Sequence, residues 1–133
     1  MAGTLDVINR THMPVPMRRL RRIFRVAVKK RTLNVSVACV GDTAMRTLNR
    51  RWRGKDYPTN VLAFLLEKEL GEIVINMRAA EREAQRNGIS LAERVELLFA
   101  HGMAHLVGYD HTRRADTARM QRFEHTLLTT HNG

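Results

Sequence analysis

The most constraining stretch of the chain is His101-Gly102-Met103-Ala104-His105-Leu106-Val107-Gly108-Tyr109-Asp110-His111, which holds three of its six histidines. The apolar residues leading into it, Val95, Leu97, Leu98, Ala100 and Leu106, require a helix that is buried for much of its length. On such a helix, residues four apart stand one turn above each other on the same face, so His101 and His105 form a pair. Gly108 then offers a helix end, because glycine enters the left-handed conformation without a Cβ clash, and His111 can swing back toward the pair. Three neutral imidazoles with a fourth position open is the donor set of a catalytic zinc site. Zinc is the default ion, although nickel, cobalt or copper would also suit it. His12, His125 and His131 are isolated and read as surface or helix-face residues.

The pattern also excludes a chemistry. A zinc-peptidase helix reads His-Glu-x-x-His, its glutamate serving as general base. Gly102 stands at that position here, so peptide hydrolysis is the weaker reading.

Charge points the same way. The chain of 133 residues carries a formal net charge of +10, which favours a polyanionic partner. Its 44% hydrophobic and 27% charged residues fit a single folded domain spanning 1–133. One cysteine, Cys39, excludes an internal disulfide and suits a reducing compartment. No secretory signal and no membrane-length apolar run is evident, so a cytoplasmic protein is expected.

Along the chain, residues 4–9 read as a short strand with Leu5 and Val7 on one face and Ile8 on the other. A helix is expected over 17–30, with Leu20, Ile23, Phe24, Ala27 and Val28 inward and Arg18, Arg19, Arg21, Arg22, Arg25 and Lys29 outward. No acidic residue lies between Asp6 and Asp42, so this face reads as one for RNA or a ribosome, with Arg18, Arg22 and Arg25 as contacts. Residues 33–40 alternate as a strand with Leu33, Val35, Val37 and Cys39 buried. Asp42 is expected to cap a helix running to about Arg51, with Met45, Leu48 and Trp52 as its apolar stripe. Gly54 and Pro58 mark a loop holding Arg53, Lys55, Asp56, Thr59 and Asn60, a set that suits a phosphodiester or merely a polar turn. Residues 61–66 and 71–75 read as a hairpin, 77–87 as a helix ended by Gly88, and Ser90 with Glu93 as a capping box. A last helix, capped by Thr112, is expected to reach about Thr130 with Met120, Phe123, Leu127 and Leu128 inward.

These pieces, taken in order, resemble the YbeY endoribonucleases, which act in bacterial ribosomal RNA maturation. The resemblance rests on His101 to His111, on Trp52-Arg53-Gly54-Lys55-Asp56, on Pro58-Thr59-Asn60-Val61-Leu62 and on Leu70-Gly71-Glu72-Ile73. The chain departs from the family in Ala63-Phe64-Leu65-Leu66 for Ser-Phe-Pro-Phe, in Glu72 for aspartate, in Ala104 for leucine and in a shorter strand connection. The resemblance implies one α+β domain, a small mixed four-stranded sheet packed with helices, and a central helix bearing the metal-binding histidines. It implies a metal-dependent, single-strand-preferring RNase that finishes the small-subunit rRNA 3′ end and assists ribosome quality control. Its residues map to Arg53 as the arginine needed for activity and to His101, His105 and His111 as metal ligands; Lys55, from the composition of the loop alone, reads as an RNA contact. Asp110 and Glu72 are the side chains available as a general base. Two alternatives stay open: a ribosome-assembly factor with a structural metal, and a metallohydrolase of other substrates.

Overall fold

A computed structural model describes residues 3–29, 31–108 and 114–129. Its elements in chain order are β1 (Leu5–Asn9), α1 (Met17–Val28), β2 (Asn34–Val40), α2 (Asp42–Arg53), β3 (Val61–Glu67), β4 (Leu70–Asn76), α3 (Met77–Asn87), α4 (Leu91–Leu106) and α5 (Arg114–Thr129). The strands form one sheet in the order β1-β2-β4-β3. β1 runs parallel to β2 and β2 to β4, while β3 returns antiparallel to β4, so the sheet is mixed as the family resemblance implies.

Strand alternation sends side chains to two faces with different fates. On the front, Val35, Val37, Cys39, Ile73 and Ile75 join a core with α1, α3, α4 and α5. The expected parity of Leu33, Val35, Val37 and Cys39 holds, each 6% exposed or less. On the back, Val40, Leu62 and Val74 pack against Met45 of α2, a smaller cluster that leaves Ile8 55% exposed. A two-residue connection, Lys68-Glu69, joins β3 to β4, with a register shift between Leu65 and Glu67.

α4 opens on the capping box, with Ser90 Oγ accepting from the Glu93 N–H and Glu93 reaching back to the Ser90 N–H. It lies close on the sheet because Gly102 has no side chain: a Cβ there would sit 3.0 Å from Ile73 Cδ1. A side chain at the position that a peptidase fills with its base would press on Ile73 of β4.

Several expectations need correction. Gly41, not Asp42, is the N-cap of α2; Asp42 is its first residue, where its carboxylate accepts from Asn76 and Arg82. α2 runs on through Arg53, placing that residue on the helix rather than in the loop, because Gly54 ends the helix at φ 68°. Leu97 is 36% exposed, whereas the charged Glu96 before it is buried. The basic face of α1 does have an acidic partner: Glu96 of α4 receives Arg19 at 3.4 Å and Arg22 at 3.3 Å. Helix 17–30 also ends earlier than expected, at Val28, and the Thr112 cap lies outside the described residues.

Candidate metal centre and nucleic-acid cleft

α4 sets the histidines. His101 and His105 stand on consecutive turns with ring centroids 4.9 Å apart and planes at 79°. Both line a cleft of about 420 Å³ whose other walls are Gly102, residues 59–63 and Arg53. Leu62 is 5% exposed and points to the back of the sheet, so it meets this cleft through its backbone, at the edge of β3.

The loop between α2 and β3 is held by buried asparagines. Asn49 Nδ2 donates to the Tyr57 carbonyl at 2.8 Å, and the Asn49 carbonyl accepts from the Lys55 N–H at 3.3 Å. Asn76 Nδ2 donates to the Thr59 carbonyl at 3.1 Å and to Asp42 at 2.9 Å, while its Oδ1 caps α3. Asn60 Nδ2 donates to Glu83, whose carboxylate is anchored by Arg94 at 2.8 Å. Neither asparagine at 49 nor 76 is exposed, and a buried amide that satisfies backbone carbonyls holds a loop firmly. The loop thereby presents Thr59 and Asn60 across from the histidines.

Arg53 is exposed and makes no ion pair among the described residues. By contrast, the Asp42 carboxyl is held down to about 2 by hydrogen bonds from Arg82 and Asn76. Arg46 and Arg50 similarly hold the carboxyl of Asp56, the acid of the loop, below its usual range, with the Arg46 hydrogen bond the main cause. Burial raises the Cys39 thiol to about 11, in keeping with its reading as a core residue.

One participant was missed by sequence reasoning. Glu124 of α5 places Oε1 2.6 Å from His101 Nδ1. An ionised carboxylate only accepts, so in the neutral ring the proton sits on Nδ1 and the lone pair on Nε2. That is the arrangement that orients a ligand imidazole and raises its basicity. Its sequence signal was faint: an acid on the inward stripe formed by Met120 and Leu127.

His111 and Asp110 lie outside the described residues, and among those described no three of His, Cys, Asp and Glu are grouped to hold a metal ion. Glu72 is ruled out as base for this cleft, since it shares the back face with Ser36 and Val74, opposite Ile73. Arg18 and Arg25 are exposed, but α1 meets α4 at Glu96, which is about 140° and 180° around that helix from His101 and His105. The basic face of α1 therefore flanks the side of α4 turned away from the cleft, and Arg22 is committed to Glu96. Lys55 is exposed two residues beyond Arg53.

Known proteins share both the sequence pattern and the fold. The family model described as Endoribonuclease YbeY matches residues 7–132. Among curated relatives of that name, the Helicobacter pylori (strain Shi470) protein is 37% identical over 132 residues, covering 96% of this chain and 91% of the relative. The Anaeromyxobacter sp. (strain Fw109-5) protein is 40% identical over 119 residues, and the Methylocella silvestris protein 42% over 100 residues. Those alignments span 62% and 57% of the two relatives' lengths, and 83% and 71% of this chain. A solution structure from Thermotoga maritima shares the fold, with a TM-score of 0.62, 24% identity, and coverage of 96% of this chain and 89% of that one.

Proposed function

The chain belongs to the endoribonuclease YbeY family, and from that membership and the cleft we propose that it is a metal-dependent endoribonuclease preferring single-stranded RNA. Its proposed substrates are ribosomal RNA, at the 3′ end of the small-subunit species, and ribosomal particles; its proposed compartment is the cytoplasm. The observation that carries the reading is that Arg53 and the His101–His105 pair, far apart in sequence, line one cleft. No described helix is long and apolar enough to cross a membrane.

The residues present suit zinc: two imidazoles on adjacent helical turns, one with its Nδ1 on a carboxylate, and a third histidine ten residues from the first in His111. A nickel or other divalent transition ion fits the same nitrogen donors. Bound by His101, His105 and His111, the ion would supply Lewis acidity toward a phosphoryl oxygen and toward water.

The protein's own groups do the rest. Arg53 presents a planar, permanently charged fork to the phosphodiester and stabilises the negative charge that grows on its oxygens as the phosphorus becomes five-coordinate. Glu124 keeps the His101 proton on Nδ1 and the ring in place. Asn60, steadied by Glu83, offers a polar wall to the sugar-phosphate chain. The +10 charge draws the polyanion toward the surface, and binding should weaken steeply with salt.

The test compares wild type with Arg53→Ala on single-stranded RNA and on duplex RNA, reading cleavage and binding separately. Cleavage confined to single strands, with a large loss of rate in Arg53→Ala, is expected. Binding of ribosomal particles by a wild-type protein that leaves RNA intact would favour the assembly-factor alternative.

A further inference from the structure

Trp52 is the only tryptophan in the chain. Sequence periodicity assigns it to the buried stripe of α2, yet it is 53% exposed. Its ring stacks on Phe64 of β3, with centroids 4.9 Å apart and planes 23° from parallel. Phe64 is itself packed on the back-face cluster with Leu48, so the indole is backed on one side and fixed in angle. A large aromatic ring held this way loses little freedom when a second flat ring stacks on it.

The surroundings select the kind of ring. The last turn of α2 carries Arg50, Arg51 and Arg53, and Lys55 follows in the loop. Asp56, the acid of this segment, is occupied by Arg46 at 2.9 Å and Arg50 at 3.7 Å. An exposed indole flanked in sequence by Arg51 and Arg53 is the composition of a single-strand nucleic-acid platform, where bases stack and the backbone follows the charge. Trp52 is also next in sequence to Arg53, which lines the cleft. Val61 and Ala63 face the front of the sheet with α4, whereas Phe64 faces the back, so the strand edge separates the cleft from the Trp52–Phe64 stack.

We propose that the Trp52–Phe64 stack is a nucleobase-binding site, which holds an unpaired base of the RNA beside the phosphodiester at Arg53 after the strand crosses the edge of β3. The proposal rests on the RNA reading of the cleft and deepens it. Double-stranded RNA keeps its bases stacked and paired and offers no free face, so the platform contributes to single-strand preference.

The lone indole makes the test direct. A short 2′-O-methyl oligoadenylate, which resists cleavage, is titrated into the full-length protein. Binding is followed by anisotropy of an end label, and stacking by Trp52 fluorescence. The expected result is quenching of the indole in step with the anisotropy. Trp52→Ala should weaken binding roughly five- to hundredfold, with Trp52→Phe restoring most of it. Circular dichroism checks that both variants keep their fold, and indole quenching in wild type carries the test if the alanine variant does not. Anisotropy showing full binding with unchanged indole emission, or a folded Trp52→Ala that binds as tightly as wild type, overturns the platform and leaves the RNA reading standing. Absence of any binding by wild type overturns both.

Discussion

Replacing Glu124 tests how the histidine pair is organised. The 2.6 Å separation from His101 Nδ1 is at the short end for a charge-assisted hydrogen bond, and such bonds have a net value of about 1.5–3 kcal/mol. Both side chains keep some solvent contact, His101 at 32% and Glu124 at 22%, so screening places this bond in the lower half of that range. Removing a carboxylate that orients a ligand imidazole typically weakens metal affinity about 10- to 100-fold, which agrees with that discount. Glu124→Ala should therefore lose zinc affinity by about tenfold or somewhat more. Glu124→Gln, which keeps a neutral acceptor, should lose less. Competition against a chromophoric chelator measures this without reference to catalysis. Nitrogen-15 spectra of the imidazole provide a second readout, with His101 protonated at Nδ1 in wild type. Zinc affinity in Glu124→Ala within about twofold of wild type would overturn this role, because orientation of the ring by the carboxylate would then contribute nothing to metal binding.

Three other contacts give outcomes of their own. Gly102→Ala brings a Cβ to 3.0 Å from Ile73 Cδ1, and Ile73→Val removes that methyl; the two should couple favourably by about 0.5–3 kcal/mol in a thermal double-mutant cycle, and additivity would contradict the packing. Glu96 is 8% exposed and takes both Arg19 and Arg22, so Glu96→Gln should cost about 1–2 kcal/mol of stability by denaturant unfolding, the long 3.3–3.4 Å contacts keeping the loss modest. The Asp42 carboxyl, held at about 2 against its ordinary 3.8, stabilises the fold fully above pH 3.8 and loses that contribution as pH falls through 2. Asp42→Asn should flatten the acid limb of the stability curve in that window by less than about 1 kcal/mol, because the side chain is 39% exposed.

Local signals were legible and distant ones were not. The capping box of α4, the Gly88 end of α3 and the parity of β2 depend on neighbours within a turn or a strand, and they appear as expected. The His101–His105 pair follows from helical spacing alone. Glu124 lies 23 residues beyond His101, and only the packing of α5 on α4 brings it to the ring. Glu96 reaches Arg22 across 74 residues, which is why the basic run on α1 reads, in sequence, as lacking a counterion. Arg53 belongs to the helix and not to the loop because the left-handed residue that ends α2 is Gly54, and the helix runs up to it. Trp52 departs from its expected burial because helical periodicity gives the direction of a side chain but not the extent of what covers it, and β3 covers only part of the ring with Phe64. The parity of β4 did carry a usable signal: Glu72 alternates with Ile73 and so belongs to the back of the sheet.

The proposed function places RNA cleavage in the cleft shared by Arg53 and the His101–His105 pair, with a metal that the histidines would hold. The decisive measurement is single-strand RNA cleavage by protein stripped of metal with a chelator, dialysed, and then given back one equivalent of zinc, in wild type and His105→Ala. Stripping should abolish cleavage, zinc should restore it in wild type, and His105→Ala should neither retain zinc nor recover. Undiminished cleavage by stripped protein, or full zinc retention and activity in His105→Ala, would contradict a metal-centred cleft.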